Sequence, residues 1–173
     1  MHPELRESQM SPALAPLLRP VEASDDAFIR ALFVASRPEL EVLRDLGPAG
    51  EQLVDLQLRA QRAEYADRYP AVDEVIMLGG TPVGRCWTSE SETEVRVLDL
   101  MVLPEFRRRG LARAVLQGLL RRAASRRLPV RLTVWHENTP ARLLYAALGL
   151  RESHEAGGFV AMERYPDETG VSA

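Results

Sequence analysis

The most informative part of the chain is residues 99–113, Asp99-Leu-Met-Val-Leu-Pro-Glu-Phe-Arg-Arg-Arg-Gly-Leu-Ala-Arg113. Apolar residues alternate from Val95 to Val102 and predict a buried strand that runs into this stretch. Pro104 ends the strand, three arginines follow, and Gly110 precedes a run with helical periodicity that extends to about Arg126. We therefore predict a strand, a short basic loop and a helix that begins at the loop.

The basic loop has the features of an anion-binding site. The first N–H groups of a helix lack acceptors, and the helix dipole leaves partial positive charge there. Gly110 would let the backbone approach a ligand closely. Arg107, Arg108 and Arg109 would each be unfavourable there by roughly 0.3–1 kcal/mol unless an anion compensates them. We predict a bound phosphate group, the alternative being an ordinary turn with solvated arginines; neither a Walker loop nor a dinucleotide fingerprint is present.

Composition narrows the class of protein. The chain has 173 residues, a net charge of −3 and 46% hydrophobic residues, which suit one globular domain with a full core. Neither the charge nor the apolar runs favour a nucleic-acid or membrane partner. Cys86 is the only cysteine, so a reducing, cytoplasmic location is expected. We predict a mobile arm over residues 1–16, a domain over 17–165 and a mobile tail over 166–173.

The order of predicted elements indicates a mixed α/β fold with a central sheet of about seven strands. The chain alternates as one strand, two helices, three strands, a helix, a strand, a helix and two strands. The second helix is predicted over 51–68, and Thr139 and Pro140 are predicted to be the N-cap and the first helical residue of the last helix. The strands at 95–102 and 130–134 flank a helix, so they should be parallel in a right-handed βαβ unit.

Val102-x-Pro104-Glu-Phe-Arg107-x-x-Gly110-x-Ala112 closely resembles the acetyl-CoA-binding motif of the GCN5-related N-acetyltransferase (GNAT) family. The resemblance covers about residues 17 to 165. It implies the family's mixed α/β fold, with acetyl-CoA as acyl donor and no metal. The residues that it assigns to the cofactor through the strand backbone are Leu100, Met101 and Val102. Those that it assigns to the pyrophosphate loop are Arg107, Arg108, Arg109, Gly110, Leu111, Ala112 and Arg113.

Asn138-Thr-Pro-Ala-Arg-Leu-Leu-Tyr145 resembles a second element of that family, Asn-x6-Tyr. The resemblance implies that Asn138 touches the cofactor and that Tyr145 is the acid that protonates the leaving thiolate. The alternative is that Tyr145 is a core tyrosine packed between Ala141 and Leu148 at helical spacing.

Asp99 is the candidate general base, because the family often has an acidic residue immediately before the Leu-x-Val of this strand. The alternative is a structural carboxylate paired with a neighbouring arginine such as Arg131. Weaker candidates on turns are Glu92, Glu94, His136 and Glu137. The ribosomal-protein acetyltransferases of the family have a glutamate base five residues before the asparagine; here that position is Thr133, so this role is not transferred.

These observations favour an acetyl-CoA-dependent N-acetyltransferase that acts on a primary amine, of a small molecule or a peptide, by direct attack in a ternary complex. One alternative is a non-catalytic acyl-CoA-binding sensor or partner-binding module on the same fold. A nucleic-acid binder that uses the arginine clusters ranks last. The sequence does not identify the acceptor, and it leaves a homodimer open.

Overall fold

The computed structural model describes residues 15–166, which form a single seven-stranded sheet with spatial order β1-β2-β3-β4-β5-β7-β6. Adjacent strands are antiparallel except β4 and β5, which are parallel and joined through a helix. The strand bounds are Leu17–Pro20 (β1), Ala71–Leu78 (β2), Thr81–Glu90 (β3), Val95–Val102 (β4), Val130–Trp135 (β5), Arg151–Ala156 (β6) and Phe159–Arg164 (β7). The predicted mixed α/β fold, with its parallel βαβ unit, is confirmed.

Four α-helices cover the two faces of the sheet: α1 (Asp26–Ala35), α2 (Pro48–Arg68), α3 (Leu111–Ser125) and α4 (Thr139–Ala146). Helices α1 and α2 pack together through a core that includes Ile29, Phe33 and Leu58, and they lie over β3 and β4. Helices α3 and α4 pack on the opposite face. Burial of each large apolar side chain stabilises such a core by roughly 1.5–3 kcal/mol.

The parallel pairing of β4 and β5 stops halfway along the strands. Val95, Arg96 and Val97 pair with residues 130–132, and no pairing continues beyond Val97. At the same level the register between β3 and β4 shifts, because Trp87 pairs with Asp99 whereas Thr88 pairs with Val97. Leu98 is therefore the extra residue of a β-bulge, which bends its strand. Beyond the bulge β4 and β5 diverge and leave an open strand edge.

Two predicted helix starts are shifted in the structure. Helix α2 begins at Pro48, one turn earlier than predicted, because Gly47 adopts φ +57° and ends a 3₁₀ segment over Pro38–Leu46. Helix α4 begins at Thr139, one residue before the predicted Pro140, and its N-cap is Asn138 rather than Thr139. Both differences arise at the residue that caps the helix, Gly47 through its backbone conformation and Asn138 through its side chain.

The predicted mobile arm (1–16) and tail (166–173) lie almost entirely outside the described residues. Within residues 15–166, no helix is long and apolar enough to span a membrane.

Candidate active site

The loop before α3 presents a row of backbone donors. Arg108 and Gly110 adopt φ +62° and +78°, in the left-handed region, so they alternate with right-handed or extended neighbours. Among the described residues, no hydrogen-bond acceptor is found for the N–H groups of residues 108–113, and the helical bonds begin with Ala114 N–H donating to the Gly110 carbonyl. Successive N–H groups in such turns form anion-binding concavities, and the dipole of α3 adds partial positive charge. The loop therefore has the backbone geometry typical of anion-binding turns.

The three arginines of the loop have different surroundings. Arg107 donates from Nε to the Val102 carbonyl at 2.9 Å and from Nη2 to the Ala35 carbonyl at 3.4 Å. It thus braces the loop against the end of β4 and the end of α1. Arg109 lies over the ring of Phe106, 5.2 Å from its centroid. Arg108, Arg109 and Arg113 are exposed, which leaves their guanidinium groups accessible to a ligand.

The open edge of β4 presents two of the three predicted backbone positions. Leu103 N–H donates to the Val83 carbonyl at 2.9 Å, and the Met101 carbonyl oxygen lies so close to Gly84 that a Cβ there would be 2.4 Å from it. Backbone groups alternate along a strand, so those of Met101 face β3 and those of Leu100 and Val102 face the gap. The Val102 carbonyl already accepts from Arg107. The N–H groups of Leu100 and Val102 are thus directed toward the gap, and that of Leu100 also hydrogen-bonds the Asp99 carboxyl group.

Tyr145 lies on α4 and packs against the core that α3 and α4 form with the sheet. Burial is the largest effect on its hydroxyl and raises the pKa of Tyr145 to about 12, with further contributions from Asp99 and Cys86. No hydrogen-bond partner for the hydroxyl is found in residues 15–166. Tyr145 therefore combines a core position with a protonated, unpartnered hydroxyl close enough to Asp99 to sense its charge.

Asn138 has a structural role that the sequence motif did not indicate. Its side-chain oxygen accepts from Ala141 N–H at 3.3 Å and caps α4. The side chain is exposed, and its amide nitrogen has no partner among the described residues. Asn138 thereby fixes the start of the helix that carries Tyr145.

Asp99 follows the bulge and faces α1 and α2. Gln61 on α2 donates from Nε2 to Asp99 Oδ2 at 3.4 Å. Burial raises the pKa of Asp99, and this effect outweighs the nearby charges of Arg37 and Arg85 and the hydrogen bonds from Gln61 and the Leu100 backbone. A carboxyl group with a raised pKa close to a strand gap is typical of a functional site rather than of a surface ion pair.

Arg131, named as a possible ion-pair partner in the structural alternative for Asp99, does not pair with it. Arg131 instead pairs with Glu94 at 2.6 Å and Glu163 at 3.0 Å, which ties β5 to the start of β4 and to β7. Glu94 is thereby occupied in ion pairs with Arg131 and Arg96. Among the weaker candidates, Glu137 accepts from Trp135 Nε1 at 3.2 Å, and His136 packs edge-on against the Trp135 ring.

Several residues near Asp99 carry no sequence motif. Tyr65 on α2 donates its hydroxyl proton to the Leu98 carbonyl at 3.2 Å, and its ring meets Trp87 edge-on at 5.0 Å. Its helical spacing with Val54 and Leu58 indicated an inward face, but nothing in the sequence indicated that this face meets the bulge. Arg37 and Gln61 contact the same face of β4, at Met101 and Asp99 respectively. Within residues 15–166, no group of three or more His, Cys, Asp or Glu side chains could hold a metal ion.

Comparison with known proteins identifies the family to which the fold belongs. The model of the acetyltransferase (GNAT) family matches residues 40–150. An acetyltransferase from Thermus thermophilus superposes with a TM-score of 0.65 at 21% identity, covering 88% of this chain and 98% of its own. No protein in the search of curated proteins matches the chain.

Two further solved structures contain coenzyme A or acetyl-CoA. The PaiA N-acetyltransferase from Thermoplasma acidophilum, in complex with coenzyme A, has a TM-score of 0.63 at 15% identity and covers 87% of this chain and 99% of its own. A GNAT acetyltransferase from Elizabethkingia anophelis with acetyl-CoA bound has a TM-score of 0.57 at 11% identity, with 87% and 97% covered. At these identities the structures show a common fold. Together with the family model, which spans most of the sheet and the whole anion-binding loop, they establish that this chain belongs to the GNAT family of acetyltransferases.

Proposed function

We propose that the protein is an N-acetyltransferase that moves the acetyl group of acetyl-CoA directly to a primary amine while both substrates are bound. The observation that carries this proposal is the meeting of three features at one gap in the sheet. These are a strand edge that no neighbouring strand pairs with, a protonated tyrosine on one side and a carboxylate on the other.

The residues of the gap and loop fit an extended donor that ends in a pyrophosphate and a nucleotide. The unpartnered N–H groups of residues 108–113 would hold the phosphates, assisted by the exposed Arg108, Arg109 and Arg113. The free backbone edge at Leu100 and Val102 would pair with the amides of the pantetheine arm, as an added strand would. In this proposal Met101 contributes packing, since its backbone faces β3 and its side chain is buried. Asn138 acts by positioning α4.

When bound, acetyl-CoA supplies the acetyl thioester. An N–H group of Leu100 or Val102 can donate to the carbonyl oxygen of that thioester, a contribution worth about 2.7–4 kcal/mol for single donors in other enzymes. Tyr145 holds a proton on its hydroxyl at neutral pH, because its pKa is raised by burial, and can pass it to the departing sulfur.

In this proposal Asp99 removes a proton from the acceptor amine. An alkylamine with a pKa near 10.4 is only about one part in a thousand neutral at pH 7.4. A carboxylate with a raised pKa is a stronger base than an ordinary aspartate and can take one ammonium proton. The amine nitrogen then bonds to the acetyl carbon as the C–S bond breaks. One proton leaves through Asp99 to solvent, and the second ends on sulfur through Tyr145.

The alternative is a non-catalytic acyl-CoA sensor on the same fold. A sensor needs the loop and the strand edge but has no use for a buried carboxylate and an unpartnered tyrosine on opposite sides of the gap. Direct transfer needs a group that takes a proton from the amine and a group that gives one to sulfur, and these two side chains can fill those roles. They favour the enzyme.

The test is release of free CoA from acetyl-CoA in the presence of polyamines, amino acids, aminoglycosides and peptides, with acetylated product identified by mass. The proposal expects acceptor-dependent release and a matching acetylated amine. Tight binding of acetyl-CoA without transfer to any acceptor across broad panels would favour the sensor.

A further inference from the structure

Arg37, which contacts the face of β4 that carries Asp99, has no ion pair with any carboxylate that the structure describes. Arg37 follows the end of α1, and its Nη1 lies 3.8 Å from the Met101 sulfur. Met101 is two residues beyond Asp99 on the same strand and so points to the same face, about 7 Å farther along it. The Arg37 guanidinium and the Asp99 carboxyl group thus lie near the same face of β4, the face that α1 and α2 cover.

Neither charge is neutralised by an ion pair within the described part of the chain. The Arg37 guanidinium stacks on Phe33, 3.9 Å from the ring centroid, and no described carboxylate lies within ion-pair distance of it. Asp99 accepts hydrogen bonds from neutral groups only. By contrast, Arg85 on the neighbouring strand is fully buried and paired with Asp73.

The pairing of neighbouring arginines sharpens the contrast. Arg30 on α1 pairs with Asp55, and Arg62 on α2 pairs with Asp26. This surface therefore has carboxylates available for its structural arginines. Arg37 is half-buried and is held in place by the Phe33 ring and the Met101 sulfur. Among the described residues, no carbonyl or carboxylate oxygen accepts from its guanidinium N–H groups.

We propose that the acceptor is a small zwitterionic amine, of the free amino-acid class, whose ammonium group meets Asp99 and whose carboxylate meets Arg37. The inference rests on the proposed function and specifies its substrate class. Guanidinium binds carboxylate in a two-point, charge-assisted geometry that a neutral amide or hydroxyl cannot match. A polyamine would bring a second ammonium group toward Arg37, where like charges repel. A peptide amino terminus lacks the adjacent carboxylate.

The inference adds no chemical step to the transfer. It fixes the orientation of the acceptor, because one end is held at Arg37 and the amine is held at Asp99, beside the gap where the acetyl group would lie. Such two-point binding reduces the freedom of the nucleophile and favours attack from one direction.

The experiment compares amino acids with amines that lack only the carboxylate. Suitable pairs are phenylalanine with phenethylamine and leucine with isoamylamine, with spermidine as a polycation. Within each pair the side chain is the same, so the ratio of kcat/KM, with each value corrected for the fraction of neutral amine, isolates the contact made by the carboxylate. We expect the amino acid to be preferred by about 10-fold or more, which corresponds to about 1.4 kcal/mol. Spermidine should be the poorest acceptor.

The variant Arg37→Met keeps the length of the side chain and removes its charge. It should bring the ratio within each pair close to one by raising the KM of the amino acid, with the Kd of CoA unchanged. Arg62→Met is the matched control, since Arg62 is a partly exposed arginine that pairs with Asp26 away from the gap. It should leave both rates and their ratio unaltered.

Equal or better transfer to the decarboxylated amines would overturn this inference and leave the proposed function standing. So would an Arg37→Met variant that slows both members of a pair equally, because that result indicates a structural role. An absence of transfer to every compound, with acetyl-CoA bound, would contradict the proposed function itself.

Discussion

Replacing Tyr145 with phenylalanine removes one oxygen atom and leaves the packing of α4 nearly unchanged. The hydroxyl has no hydrogen-bond partner in the described residues, so its loss orphans no other group. The free energy of unfolding should therefore change by less than about 1 kcal/mol. If the hydroxyl protonates the leaving thiolate, kcat should fall by about 10²–10⁴-fold, the usual range for a positioned general acid. The lower end is expected, because a thiolate with a conjugate acid near pKa 8.5 is itself a moderate leaving group.

The assay measures kcat, the Kd of CoA and Tm on one preparation of each protein. The Kd should stay near that of the wild type, since the loop at 108–113 and the edge of β4 are untouched. Burial raises the pKa of Tyr145 to about 12, so wild-type activity should not decline from tyrosine ionisation below about pH 11. A variant with wild-type kcat would refute the catalytic assignment and leave Tyr145 as a core residue.

Three further substitutions test separate parts of the account. Asp99→Asn should lower turnover most at low pH, where the acceptor is fully protonated. Burial raises the folded-state pKa of Asp99, so its ionisation disfavours the folded state as pH rises. The variant should therefore match or exceed the wild-type Tm at neutral pH. A drop in Tm with normal turnover would instead make Asp99 structural. Gly110→Asp should abolish CoA binding in calorimetric titration without unfolding the protein, because it adds a negative charge at the anion site and a side chain at φ +78°; unchanged affinity would contradict the phosphate assignment. Asp25→Ala should cost about 0.5–2 kcal/mol in urea unfolding, since Asp25 accepts from Glu22 N–H at 2.8 Å and pairs with Arg19. Those bonds, chiefly the one from Arg19, lower the pKa of Asp25 to about 2, so the wild-type advantage should disappear as pH falls from about 4 to 2; an advantage that persists below that range would contradict it.

Much of the architecture follows from local patterns in the sequence. Alternation from Val130 to Val134 and the helical spacing of Leu111, Val115 and Leu119 each imply a buried face, and the structure buries those residues. The bulge could not be predicted, because apolar residues occur at 95, 97, 98, 100, 101 and 102. A run this apolar does not show where the side chains change face, so the extra residue at Leu98 is found only from the strand pairing.

The roles of individual side chains depended on distances that no pattern records. Arg107 contacts the carbonyl of Ala35, which lies 72 positions away in the chain. Asn138 was assigned to the cofactor by resemblance, yet its oxygen caps α4. Gln61 and Arg37 lie on separate elements and meet at β4 only after folding. Side-chain partners of this kind are set by tertiary packing, which spacing along one element does not encode.

The central claim is that one gap in the sheet brings donor and acceptor together for direct transfer. The chain offers little for a covalent route, since it has no lysine and burial raises the pKa of its one thiol, Cys86, to about 12. Initial rates measured while acetyl-CoA and an accepted amine are varied together test this claim most directly. Direct transfer predicts double-reciprocal lines that converge, with no acetylated protein detected by mass. Parallel lines, together with a protein that carries an acetyl group before the amine is added, would contradict it.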